Sequence, residues 1–178
     1  MRTLKYAILG LLNQKDMTGY EMSEMFSSTL NEFWHANHSQ IYPELQRLTD
    51  EGMVRYTEEI SGQVLKKKRY ALTDEGRTDF MAWLRRDEAI GATPKDTFRL
   101  RMFYSSSLPE EERRDLIEKQ IARHTERKSH LEKNQKKFDA IPGPDEDAFG
   151  DYLVLMGAIM REEMTIAWME KCLELCEG

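Results

Sequence analysis

Within nine residues, Ser39 to Arg47, the chain places hydroxyl, amide, phenol and guanidinium groups on Ser39, Gln40, Tyr42, Gln46 and Arg47. These groups donate to and accept from base edges and phosphate oxygens, the two kinds of target met in a DNA major groove. A second cluster, Lys66, Lys67, Lys68 and Arg69, is four consecutive cations. On a strand beside such a groove they would lie against the flanking backbone or minor groove. Standing alone, they read as an ordinary solvated basic strand.

Reading of this kind needs a support that is apolar on one side and polar on the other. The stretch HSQIYPELQRLTDEGMV, His38 to Val54, predicts one. Ser39 can cap a helix beginning between itself and Pro43, since proline is tolerated near a first helical turn, and Gly52 closes it. At about 100° per residue, Ile41, Leu45 and Leu48 share one face. Ser39, Pro43, Gln46, Arg47 and Asp50 face away from it, flanked by Gln40 and Tyr42. Tyr42 and Pro43 have two readings, aiming the helix or touching a base. Asp50 would repel phosphate, so its expected place is the end remote from DNA.

The elements around this helix follow from periodicity and capping. Thr3 is the expected cap of a core helix carrying Leu4, Ala7, Ile8, Leu11 and Leu12. Thr18 caps a second, with Met22, Met25, Phe26 and Leu30 as its apolar stripe. Phe33 and Trp34 end it or begin the next loop. Past Gly52 the pattern turns extended: Val54 to Ile60, a turn at Ser61 and Gly62, then Val64 to Leu72. Thr73 caps a further helix with Asp74 and Glu75 at the positive end of its dipole and a stripe of Phe80, Met81, Trp83 and Leu84. Three helices, a hairpin and a closing helix make a winged helix-turn-helix over residues 1–90.

Residues 91–178 have a different character. A short helix carrying Phe98, Leu100, Met102, Phe103 and Tyr104 precedes a long charged helix to about Phe138. The segment Ile141 to Asp147 breaks it, and a final helix runs from Ala148. That helix carries Leu153, Met156, Met160, Met164, Trp168 and Cys172 in steps of three and four, an apolar seam that calls for a partner chain. The fold class expected is therefore mainly α with a small β hairpin, a winged domain followed by a long-helix dimerisation domain.

Composition narrows the function. With 178 residues, 40% hydrophobic and 33% charged, and a mean hydropathy of −0.68, the chain has enough apolar mass for a core. No run approaches the roughly 18 apolar residues of a membrane span and no signal peptide is visible, so a cytoplasmic protein without membrane contact is expected. A formal charge of −6 argues against indiscriminate nucleic-acid binding and confines any DNA contact to a local patch. No phosphate loop, nucleophile elbow or zinc motif is present, so neither an enzyme nor a cofactor or metal site is expected. Cys172 and Cys176 stand one turn apart without a neighbouring histidine, and read as reduced interface thiols rather than half a metal site. His124 and His130 read as solvated on a charged helix.

The runs TGYEM (Thr18 to Met22), HSQIYPELQRLTDEGMV and KKRYALTDEGR (Lys67 to Arg77), in that order and spacing, resemble the PadR family of bacterial transcriptional regulators. Length and the two long C-terminal helices are similar to the subfamily with the larger dimerisation domain, that of AphA-like and phenolic-acid-repressor-like proteins. The resemblance implies a homodimer that holds two winged helices on double-stranded operator DNA. A small apolar or aromatic effector, bound where Trp34, Phe98, Phe103 and Tyr104 could converge between the two halves, would then release a repressor. Two further readings stay open: a regulator without effector, activator or repressor, and a protein-partnered adaptor using the same winged helix.

Overall fold

The computed structural model describes residues 2–28, 30, 34, 38–61 and 65–176, with the side chains of 38, 60, 61, 65 and 66 outside that description. Of the predicted turn, Ser61 ends a strand and Gly62, like Phe33, lies outside the described residues. The chain divides into two compact units, Met1–Gly91 and Ala92–Gly178.

In the first unit, α1 (Thr3–Gln14) buries Ile8, Leu9, Leu11 and Leu12 at the expected helical spacing. Thr3 does not cap it. The cap position is Arg2, which makes no capping bond and instead donates to Glu44 and Glu51. After a two-residue strand β1 (Met17–Thr18), α2 (Gly19–Ser27) opens with a complete capping box: Glu21 N–H donates to Thr18 Oγ1, and Thr18 N–H to the Glu21 carboxylate. The next helix, α3 (His38–Asp50), packs Ile41, Leu45 and Leu48 into the core at 0% exposure, against Met22 and Phe26 among others. Strands β2 (Val54–Ser61) and β3 (Leu65–Leu72) pair antiparallel, Val54 opposite Leu72 and Glu59 opposite Lys67. Because β1 pairs with the other edge of β3, Met17 opposite Tyr70, the expected hairpin is a three-stranded antiparallel sheet in the order β1-β3-β2.

Helix α4 (Asp74–Leu84) is capped by Thr73, whose Oγ1 accepts from Gly76 N–H at 3.0 Å. It buries Phe80 and stacks Trp83 on Tyr6 at 4.6 Å, while Met81 and Leu84 of its predicted stripe are exposed.

In the second unit, α5 (Thr97–Phe103) precedes two long helices, α6 (Glu110–Gln135) and α7 (Asp147–Cys176), packed through Leu131, Leu155 and Ile159. His124 is not simply solvated as expected from the charged helix around it. Its Nδ1 is hydrogen-bonded to Glu162 Oε2, a buried carboxylate of α7 that also has Arg127 Nε at 3.4 Å. A buried charge needs such partners, and Glu162 supplies the demand. His130 likewise has a partner, Asn134, at 3.2 Å. Among the described residues no helix is long and apolar enough to cross a membrane.

Candidate nucleic-acid interface

Ser39 stands inside helix α3 (His38–Asp50) rather than capping it, and Pro43 is an interior residue. Its ring removes the backbone donor that would otherwise bond Ser39 O, so this part of α3 forgoes one intrahelical hydrogen bond. The C-terminus is as expected. Gly52 has φ of 71°, and its N–H donates to Thr49 O while Met53 N–H donates to Leu48 O. This is a Schellman closure, and it needs a residue at ease in the left-handed region.

The apolar face of α3 being spent on the core, Ser39, Gln40, Tyr42, Pro43, Gln46, Arg47 and Asp50 are all exposed. Glu44, on the same helix but 8% exposed, fixes its rotation. Arg2 Nη2 donates to Glu44 Oε1 at 2.6 Å, and Arg47 Nη1 lies 3.6 Å from Glu44 Oε2. Arg2 also holds the Glu51 carboxyl below the usual carboxylate range, and its own guanidinium is pushed above its ordinary range chiefly by Glu51, then Glu44.

On β3 the four cations have different fates. The side chain of Lys66 lies outside the described residues. Arg69 is committed within the chain: Nε donates to Glu59 at 2.6 Å, and Nη1 donates to Glu21 and to Asp16 O, both at 3.2 Å. Glu21, lowered in pKa first by the Thr18 backbone bond and further by Arg69, thus ties the wing to the cap of α2. Lys68 is half-buried with its Nζ 3.9 Å from the centroid of the Tyr56 ring. Lys67 is exposed, and its cross-strand neighbour Glu59 is occupied by Arg69. Among the described residues it has no ion-pair partner.

These parts meet. A cleft of about 580 Å³ is lined by Thr18, Gly19 and Tyr20 from the start of α2, Tyr42 and Gln46 from α3, and Lys67, Lys68 and Tyr70 from β3. The structure thereby brings together four residues predicted from the sequence, Tyr42, Gln46, Lys67 and Lys68. Two were missed. Tyr20 is 61% exposed at the rim, and the signal was an aromatic two residues after the Thr18 cap. Asp50 accepts from Gln46 Nε2 at 2.8 Å, a bond that the i, i+4 spacing permits.

The other candidates are spread out. Trp34 is partly buried against the core of the first unit. In the second, Phe98 meets Trp168 edge-on at 5.9 Å, and Phe103 and Tyr104 pair with each other while both exposed. Along α7, Leu153, Met156, Met160, Met164 and Trp168 are exposed and Cys172 is half-buried, its thiol pushed up in pKa by that burial and then by Cys176. The helix is thus apolar on two sides, one covered by α6. Among the described residues no group of histidine, cysteine and carboxylate side chains could hold a metal ion.

An apolar-backed helix with a polar outer face, a two-stranded wing and a capped helix beneath them define a winged helix-turn-helix transcriptional regulator. The chain belongs to the PadR-like family of transcriptional regulators, whose model matches residues 8–82, while that for the virulence activator alpha C-terminal region matches 94–177. It is 41% identical to the negative transcriptional regulator PadR of Bacillus subtilis over 99% of both chains. The crystal structure of that PadR with operator DNA superposes with a TM-score of 0.93, covering 98% of this chain and 99% of the other at 41% identity. Its complex with p-coumaric acid gives 0.90, covering 99% and 100% at 38% identity. The family consists of regulators, not enzymes.

Proposed function

We propose that the protein is a cytoplasmic homodimeric repressor that grips double-stranded operator DNA with α3 and the β2–β3 wing, and is released by a small aromatic effector. The observation that carries this is the shared cleft: the polar face of α3 and the wing lysines open onto one concavity of a size to take a sugar-phosphate edge. Tyr42, Gln46 and Arg47, with Ser39, Gln40 and Pro43 toward the helix start, are the base-reading and positioning set, while Lys67 and Lys68 face the backbone. The relative's complexes with operator DNA and with p-coumaric acid support both halves of the reading. Phe98, Phe103 and Tyr104 of the second unit are the aromatic residues assigned to the effector. By linkage, an effector that favours the DNA-incompetent arrangement is itself bound more weakly in the presence of DNA, by the same factor.

The test is binding to duplex DNA from upstream of the protein's own gene at several salt concentrations. Lys67→Ala lowers affinity for every sequence and reduces the slope of log K against log salt by about 0.9, one phosphate contact. Arg69→Ala has a similar effect by a different route, since it frees Glu59 to pair with Lys67. Adding Glu59→Ala to Arg69→Ala then restores the slope, whereas a direct Arg69 contact with phosphate leaves the double variant defective. In the same titration, p-coumaric acid lowers DNA affinity of the wild type; an unchanged curve with it and with related aromatic acids removes the effector from the proposal.

A further inference from the structure

Asp50 carries the wrong charge for its position. A carboxylate in the last turn of a helix opposes the helix dipole, and this one stands on the face assigned to a polyanion. It has no ion-pair partner among the described residues. Its hydrogen-bond partner is Gln46, one turn earlier, whose Nε2 donates to Asp50 Oδ1 at 2.8 Å. Both residues are exposed. An ionised carboxylate can only accept, so the bond determines which end of the Gln46 amide is nitrogen. Repulsion between the carboxylate and Oε1 favours use of the amide hydrogen directed away from that oxygen. Left facing outward are Oε1, an acceptor, and beside it one N–H.

We infer that Asp50 is a positioning residue that makes Gln46 a reader of adenine and turns it against guanine. This rests on the reading of α3 as the helix in the major groove. Adenine shows a donor at N6 and an acceptor at N7, the complement of the pair that Gln46 presents. Guanine shows two acceptors, N7 and O6. A free glutamine amide can offer both hydrogens to them, but Gln46 has already given one to Asp50 and would set Oε1 against O6. Cytosine and thymine each offer one partner, and so a single bond. The negative charge is thus placed where it orients an amide, at some cost in attraction to phosphate.

The test uses the full-length protein and a duplex library in which every position of its bound site carries each of the four bases. For the wild type, one position in each half-site shows adenine preferred over guanine by about tenfold or more, and Gln46→Ala abolishes the preference there alone. Asp50→Ala keeps the far-UV circular dichroism and the salt slope but reduces adenine over guanine to about threefold or less at that position. Asp50→Glu, which keeps a carboxylate that can only accept, restores the preference, whereas Asp50→Asn, which can also donate to Oε1, does not. If Gln46→Ala erases a base preference while Asp50→Ala leaves it intact, or if the base lost is not adenine, the inference fails and the reading helix stands. If Gln46→Ala changes no position, both fail.

Discussion

Replacing Met160 and Met164 together by glutamate yields a 21.0 kDa monomer and lowers affinity for an operator by about a hundredfold or more. The two residues stand four apart on α7, 58% and 72% exposed, on the side of the helix opposite Leu155, Ile159 and Met169. Water-exposed methionines along a helix already packed on its other face are stable in solution if a second copy covers them. Each buried side chain contributes about 1.5–3 kcal/mol, and a two-fold interface counts each residue twice. Glutamate at both positions puts four unpaired carboxylates into that seam, and uncompensated buried charge costs several kcal/mol apiece. Once the copies part, each winged helix binds its half-site alone and the gain from tethering, about 10²–10⁴, is lost. Sedimentation velocity reads the mass and fluorescence anisotropy the affinity. A variant that stays at twice the monomer mass places the interface elsewhere.

Gly76→Ala lowers the stability of the winged unit by about 3 kcal/mol, the upper end for an overpacked site. A Cβ at this position meets Met53 O at 2.1 Å and Leu72 Cδ1 at 2.9 Å. The side chain of Leu72 can turn aside, but the carbonyl cannot. It accepts from Thr73 Oγ1 at 3.0 Å and from Thr73 N–H at 3.2 Å, and it belongs to the residue that completes the Schellman closure of α3 and leads into β2. Moving it disturbs the end of the reading helix, the root of the wing and the cap of α4 together. Chemical denaturation measures the loss. A change below about 1 kcal/mol shows that the joint relaxes freely and is not a fixed hinge between α3 and the wing.

What could be read from the chain was local and periodic. Ile41, Leu45 and Leu48 recur at helical spacing, so the buried face of α3 and, by subtraction, its polar face were legible before any coordinates. The Gly52 closure and the Thr18 and Thr73 caps were legible because each involves residues within one turn of each other. Ser39 misled because serine is a start signal whose strength depends on the residues before it, and here it already lies within α3. Strand β1 has two residues, too few to show alternation, and exists because β3 offers it a free edge. The pairs that sort the wing cations, Arg69 with Glu21 and Glu59, and the His124–Glu162 bond join residues 10 to 48 positions apart. Nothing in a single sequence marks such partners, since any acid or base is a candidate for any other. Tyr20 and Asp50 were visible as residue types, but their roles depend on a cleft and a rotamer that only three-dimensional packing supplies.

The central claim is that two copies of α3 read DNA together. It is tested most directly by selecting bound fragments from random duplex DNA with the purified wild-type protein. The expected result is an inverted repeat whose half-sites lie about 34 Å, one helical turn, or a small multiple of it apart. Recovery of a single asymmetric motif, or of no motif at any salt concentration, contradicts it.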